Sequence, residues 1–274
     1  MKILIIPDIH CRHELARSIF EKYVNEVDHV VFLGDYFDAF NDTIYSNSMT
    51  ANFIKEIIDN PKVTLLFGNH DISYRYNNQT SHCPGYTKEK SYAINDILTQ
   101  KDWDKFKYFV EFDGNVFCHA GFSNKLIIQH DILYDNRSLS EIAEKTDECY
   151  RKNEEANLHF TPIYTAIDAK RSSRGGDFGG ILWNDWDYLS LVSNINQIVG
   201  HTPQFFPKVK FKINDRKWQE VCLKHDKDYA KKIFKFDGEF WHLPEHFNLA
   251  LDTHLKYSAI LKNGKKLKII ENKL

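Results

Sequence analysis

Asp, His and Asn recur in this chain where apolar runs end. Asp8-Ile9-His10 follows Ile3-Leu4-Ile5-Ile6, and Gly34-Asp35-Tyr36-Phe37-Asp38 follows Val30-Val31-Phe32-Leu33. Gly68-Asn69-His70-Asp71 follows Val63-Thr64-Leu65-Leu66-Phe67, and Cys118-His119-Ala120-Gly121 and Gly200-His201-Thr202 end two later runs in the same way. Carboxylate, imidazole and amide oxygen suit borderline and hard divalent cations such as Mn, Fe or Zn, and five such strand ends point to one metal site. Taken singly, Asp8, Asp35 or Asp38 reads as a helix cap or turn residue, the usual role of Asp after a strand. The metal reading rests on their recurrence.

The elements that must position these residues are legible in the apolar spacing. Leu15, Ile19, Tyr23 and Val27 recur every fourth residue, one face of a helix between the first two strands. Phe53, Ile54, Ile57 and Ile58 mark a second helix before the third strand. Repeated strand-helix-strand units place their ligands beyond the carboxyl ends of the strands. Residues 72–108 read as a loop and then a helix around Ile94, Ile97 and Leu98, and Asp113-Gly114 reads as the turn of a hairpin that ends at His119. From Ser123 to Gly180 the strand pattern stops. Residues 124–180 are expected to be an inserted cap or lid within a single domain spanning 1–274, with Ser138-Leu139-Ser140-Glu141 capping a helix. This segment ends in a basic loop, Lys170 to Gly176, which reads equally as a phosphate contact or a linker. From Lys208 on, short alternating runs read as strands of a second, mostly antiparallel sheet.

The 274 residues, 42% hydrophobic and 14% aromatic, suffice for a sizeable core. The net charge of −2 argues against nonspecific nucleic-acid binding, although residues 208–274 hold 16 Lys and Arg against 9 Asp and Glu, a local +7. Lys-protected edge strands account for that most simply; a surface for a polyanion is the sharper alternative. The five cysteines are scattered and form no C-x-x-C pair, so no disulfide framework or zinc knot is expected, and Cys11 and Cys118, which adjoin candidate ligands, read first as small buried hydrophobes with a thiol ligand as the alternative. The first strand is too short for a signal-peptide core or a membrane span, which leads to the expectation of a soluble, cytoplasmic protein with no membrane and no identifiable partner protein.

The ordered motifs D-x-H, G-D-x-x-D, G-N-H-D, H-A-G and G-H-T resemble those of the calcineurin-like metallophosphoesterases, most closely the serine/threonine phosphatase branch and its bacterial and phage relatives, including the symmetrical diadenosine-tetraphosphate hydrolases. Ile181-Leu182-Trp183-Asn184-Asp185 is similar to that family's L-L-W-S-D segment, and Leu249-Ala250-Leu251-Asp252-Thr253 to its terminal L-D-T strand. The resemblance implies an α/β fold, a two-sheet sandwich flanked by helices. It also implies two divalent cations, Mn first with Fe or Zn as alternatives, bridged by Asp35. Asp8 and His10 would complete the first site, and Asn69, His119 and His201 the second. His70 would protonate the leaving group and Asp38 would orient it. The reaction implied is in-line attack of a metal-bridging hydroxide on a phosphomonoester, whether phosphoprotein, nucleotide or small phosphorylated metabolite.

The chain departs from the family where phosphate is gripped. Asp38 is followed by Ala39-Phe40 where the phosphatases have Arg-Gly, and Asn184-Asp185-Trp186-Asp187 lacks the Arg that relatives place after the Trp motif. Arg12, Arg75, Arg171 and Arg174 are the candidate replacements, each with a surface ion pair as its plain alternative. Loss of the clamp keeps two other readings open: a phosphodiesterase or nuclease acting on nucleic acid, cyclic or dinucleoside phosphates, with nucleic acid not favoured, and an inactive module that binds a phosphorylated ligand. Tyr74, Tyr76 and Tyr86 could stack a base, though packing is their ordinary role. His254, where the family has Gly, has no explanation in the sequence.

Overall fold

The computed structural model describes residues 1–76, 82–121, 181–189, 191, 195–214 and 217–273; the expected cap over 124–180 and its basic loop lie outside them. The first three strands and two helices fall where the apolar spacing puts them, except that α1 stops short of Val27 and α2 just before Ile58: β1 (Lys2–Ile6), α1 (His13–Tyr23), β2 (His29–Phe32), α2 (Ile44–Ile57) and β3 (Val63–Leu65). β1 pairs with β2, and β2 with β3, in parallel. Strand side chains alternate between faces, so Leu4, Ile6, Val30 and Phe32 pack with Ile19 and Phe20 of α1 and Phe53 and Ile54 of α2. Ile3, Ile5 and Val31 turn the other way, into a core shared with the second sheet. Burying a side chain of this size contributes roughly 1.5–3 kcal/mol.

α2 begins well before its apolar stripe. Thr43 Oγ1 accepts from Ser46 N at 3.0 Å while Ser46 Oγ accepts from Thr43 N at 2.9 Å, a reciprocal cap that starts the helix with Ile44 and Tyr45 exposed in its first turn. His29 is the first residue of β2 and pairs its Nε2 with Thr64 Oγ1 at 2.8 Å.

Among the described residues three short helices follow β3: α3 (Asn69–Arg75), α4 (Lys88–Ile97) and α5 (Gln100–Trp103). α5 seats Trp103 against Phe67 and Phe37, the apolar residues just before Gly68 and Asp38. Thr99 is its N-cap, and Oδ2 of Asp102, three residues on, accepts from Thr99 N at 2.8 Å, Thr99 Oγ1 at 2.7 Å and Lys55 Nζ at 2.6 Å. Burial opposes the charge of Asp102, but Lys55 and Thr99 prevail and hold its pKa down to about 2. A depressed folded-state pKa contributes stability above the ordinary value near ~4 that is lost as pH falls through the folded value. Asp102→Ala is therefore expected to lower stability in urea melts by about 1–3 kcal/mol at pH 7. The difference from wild type should shrink as pH approaches about 2, the folded-state value for this group.

β4 (Phe109–Phe112) and β5 (Asn115–Cys118) form the expected hairpin, with Asp113 at φ 50° and Gly114 at φ 74° in its turn. After β6 (Asn196–Val199) come β7 (Lys208–Asn214), β8 (Lys217–Cys222), α6 (Lys227–Ile233), β9 (Trp241–His242), β10 (Phe247–Ala250), β11 (Tyr257–Lys262) and β12 (Lys266–Glu271). These later strands do not make a sheet of their own, as their alternation led us to expect. They divide between two mixed sheets of six strands, ordered β3-β2-β1-β11-β12-β9 and β4-β5-β6-β10-β7-β8. Antiparallel β11 pairs with β1 and so extends the parallel strands, while parallel β10 pairs with β6. The sheets pack face to face, and the carboxyl ends of β1, β2, β3, β5 and β6 all lead into the candidate ligands.

Candidate metal centre

The strand ends bring two clusters of ligand atoms together. Asp8, His10 and Asp35 each offer one atom within 4.8 Å of the others, and so do Asp35, His119 and His201; Asp35 belongs to both. Asn69 joins the second cluster: its Oδ1 lies 2.9 Å from both His119 Nε2 and His201 Nδ1, which are 3.1 Å apart. His119 Nδ1 donates to Leu33 O at 2.8 Å, and His10 Nδ1 to Asp38 O at 2.6 Å. A carbonyl only accepts, so each neutral imidazole carries its proton on Nδ1 and presents a bare Nε2. The Asn69 amide is oriented too. Its Nδ2 donates to Cys83 Sγ at 3.3 Å, which leaves Oδ1 for the cluster, while the thiol donates to Asn69 O at 2.9 Å.

The backbone bends hard to achieve this convergence. His10, Asp35, Asp38 and His201 have φ of 45°, 53°, 58° and 64°, the left-handed region that side chains rarely occupy outside functional turns. A Cβ on Gly200 would sit 2.0 Å from Asp8 Oδ1, and one on Gly68 2.2 Å from Asp35 Oδ1, so these two glycines let one loop lie against the other's carboxylate. Asp71 locks the turns together by accepting from Asp35 N at 2.8 Å, Tyr36 N at 2.9 Å and Gly68 N at 2.7 Å. Its position beside Asn69 and His70 gave no hint of that role.

The charge pattern fits divalent cations. Asp8 is fully buried, and burial together with Asp252 and Asp35 pushes its pKa well above the carboxylate range. Asp71 is pushed to about 7, by burial and then by Asp35. Buried like charges destabilise one another unless a cation offsets them. Asp252 Oδ2 is buried without a hydrogen-bond partner among the described residues, and the bare Nε2 of His119 faces an amide oxygen at 2.9 Å, a donor set matched to Mn, Fe or Zn. No Cys enters either cluster among the described residues, and burial pushes the Cys11 and Cys118 thiols up to about 12.

The family model for calcineurin-like phosphoesterases matches residues 1–230. The chain belongs to that family. It is therefore a metal-dependent phosphoesterase, a hydrolase of phosphate esters, and family membership implies a dinuclear divalent centre. Among solved structures the phosphoesterase is similar to a metallophosphoesterase from Sphaerobacter thermophilus, at 13% identity and TM-score 0.46, covering 100% of this chain and 90% of that one. It is similar to a protein serine/threonine phosphatase from Saccharomyces cerevisiae with similarity to human PP5, at 12% identity and TM-score 0.47, covering 100% and 80%. A putative diadenosine tetraphosphatase aligns at 12% identity and TM-score 0.41, covering 99% and 94%. A comparison with curated proteins gives no match.

Beside the phosphoesterase's clusters stands His70. Its Nδ1 is 2.9 Å from Asp38 Oδ2, its backbone N donates to Asp35 Oδ1 at 3.0 Å, and its ring meets that of His10 edge-on at 5.3 Å. Burial opposes a charge on His70, but Asp35 and the bond to Asp38 raise its pKa to about 9. Of the arginines, Arg75 turns to α5, 2.9 Å from Asp104 and 2.5 Å from Gln100, and exposed Arg12 donates to His254 O. Arg171 and Arg174 lie outside the described residues. His254 adopts φ 53°, the conformation glycine favours at that point. Tyr74 is buried with its hydroxyl on Asp38, and Tyr86 stacks on His82 at 3.6 Å, so neither presents an open face to a base. Phe40, in the place of the absent Arg-Gly, is fully exposed. No helix among the described residues is long and apolar enough to cross a membrane.

Proposed function

We propose that the phosphoesterase hydrolyses a phosphomonoester. Asp8, His10 and Asp35 would hold one divalent cation and Asp35, Asn69, His119 and His201 a second, with Mn, Fe or Zn suited to this mixed oxygen and nitrogen set. Such cations would draw charge from the phosphate oxygens and lower the pKa of water enough to supply a nucleophile at neutral pH. The observation that carries the reading is the pair of His70 Nδ1 and Asp38 Oδ2, 2.9 Å apart beside the shared Asp35. Asp38 fixes the ring, and the His70 side chain, 18% accessible, can give its proton to a leaving oxygen that arrives from solvent. Cations nearby would bring the His70 pKa down from about 9 toward neutrality, where a proton donor works best.

A phosphodiester is the second reading, and the engagement of Arg12 and Arg75 favours it: with those two arginines committed elsewhere, a dianionic phosphate has fewer cations to meet it. Hydrolysis of nitrophenyl phosphate and of bis(nitrophenyl) phosphate, with Mn and with a chelator, tests both. Monoester turnover should exceed diester turnover, vanish with chelator and return with Mn. Diester preference would favour the second reading. Chelator-resistant turnover, or purified protein that takes up no metal, would remove the basis for either.

A further inference from the structure

Lys90 occupies a position that helix electrostatics alone would disfavour. It lies in the first turn of α4, where its N–H is capped by Thr87 Oγ1, and a cation there faces the positive end of the helix dipole. It is also buried, at 7% exposure, which makes an unpaired ammonium costly. Both facts point to partners that outweigh them. The Nζ lies 3.0 Å from Asp38 Oδ1, 2.6 Å from Asp42 Oδ2 and 2.8 Å from Gly85 O, three acceptors for three ammonium hydrogens.

The same Asp38 Oδ1 accepts from Tyr74 OH at 2.5 Å, and Asp38 N donates to Asn47 Oδ1 at 3.2 Å. One carboxylate oxygen is thus taken by two buried donors, and Oδ2 is the one that meets His70. Burial opposes the charge of Asp38, but His70, Tyr74 and Lys90 prevail and hold its pKa below the ordinary value.

We propose that Lys90 is a positioning residue for the hydrolysis: together with Tyr74 it occupies Asp38 Oδ1, so that Oδ2 holds the His70 imidazole where it can protonate the leaving oxygen. This rests on the role given to His70 above. In that step an oxygen from water bonds to phosphorus as the bond from phosphorus to the leaving oxygen breaks; the electron pair of the broken bond stays on the leaving oxygen, and the His70 proton completes the alcohol. An ester with a poor, alkyl leaving group needs that proton; a nitrophenyl ester, whose phenolate leaves readily, needs it far less.

The test compares kcat and KM for an alkyl phosphate and for nitrophenyl phosphate in Mn-loaded wild type, Lys90→Met and His70→Asn, with bound metal measured in each. Lys90→Met should lower kcat on the alkyl ester by about 10- to 100-fold, but on the nitrophenyl ester by less than about threefold, with metal content and KM nearly unchanged. Because Lys90→Met strands Asp42 as well as Asp38, the double variant Lys90→Met/Asp42→Asn, which leaves the local charge sum as it was, decides the matter if the single variant does not fold. An equal loss on both esters, or no loss on either, would assign Lys90 a purely structural role and overturn the proposal. If His70→Asn itself leaves the ratio of the two esters unchanged, the reading of His70 fails and takes this proposal with it.

Discussion

Asp35→Asn is expected to lower phosphomonoester hydrolysis by about 10³-fold or more, the scale on which a preorganised electrostatic group counts, and to deplete bound metal in the same preparation. Among the described residues, Asp35 is the one common to both ligand clusters. Burial opposes its charge, yet His119, His70 and His10 around it hold its pKa well below the carboxylate range, so it is ionised where Asp8 and Asp71 are pushed the other way. An amide of the same shape can still accept the backbone N–H of His70, now made to Asp35 Oδ1 at 3.0 Å. It has no charge with which to bridge two cations. The fold should therefore survive while the centre does not, and elemental analysis beside a thermal melt would show both. Full metal occupancy with full activity in this variant would be incompatible with a bridging role.

His70→Asn should separate chemistry from metal binding. General acid catalysis contributes about 10²- to 10⁴-fold, so kcat on an alkyl phosphate should fall by that amount. The loss on nitrophenyl phosphate should be smaller, with metal content retained, because no ring atom of His70 enters either cluster. His70 is linked instead to Asp38 Oδ2 through Nδ1. Metal loss equal to that of Asp35→Asn would place His70 among the ligands rather than at the leaving group. Equal losses on the two esters would remove its role as proton donor.

Much of this was legible from local pattern. The hairpin turn at Asp113-Gly114 declared itself because φ above zero at two successive residues is a demand few sequences meet, and the chain has Asp at 50° and Gly at 74° there. The β1-α1-β2-α2-β3 unit was legible because period-two and period-four spacing of apolar residues survives without tertiary context. The partition of the later strands was not. Alternating residues in β7, β10 or β11 say that a strand has two faces, not which neighbour it pairs with, and pairing is decided by packing across the whole sandwich. The start of α2 was hidden as well, since Ile44 and Tyr45 in its first turn are exposed and add nothing to the buried stripe, and the Thr43 and Ser46 cap sets it.

The sequence by itself determined which residue types stand at the ends of β1, β2, β3, β5 and β6, and hence that a donor set for divalent cations was available, because those motifs are short and contiguous. Only the tertiary structure decided what orients them. Lys90 reaches Asp38 across 52 residues, Cys83 turns the amide of Asn69 from 14 residues away, and Leu33 O fixes the tautomer of His119 across 86. Hydrogen bonds between residues so far apart leave no periodic or local signature, since each partner looks like an ordinary Lys, Cys or backbone carbonyl until the two sheets pack and bring it within 3.3 Å of the group it holds.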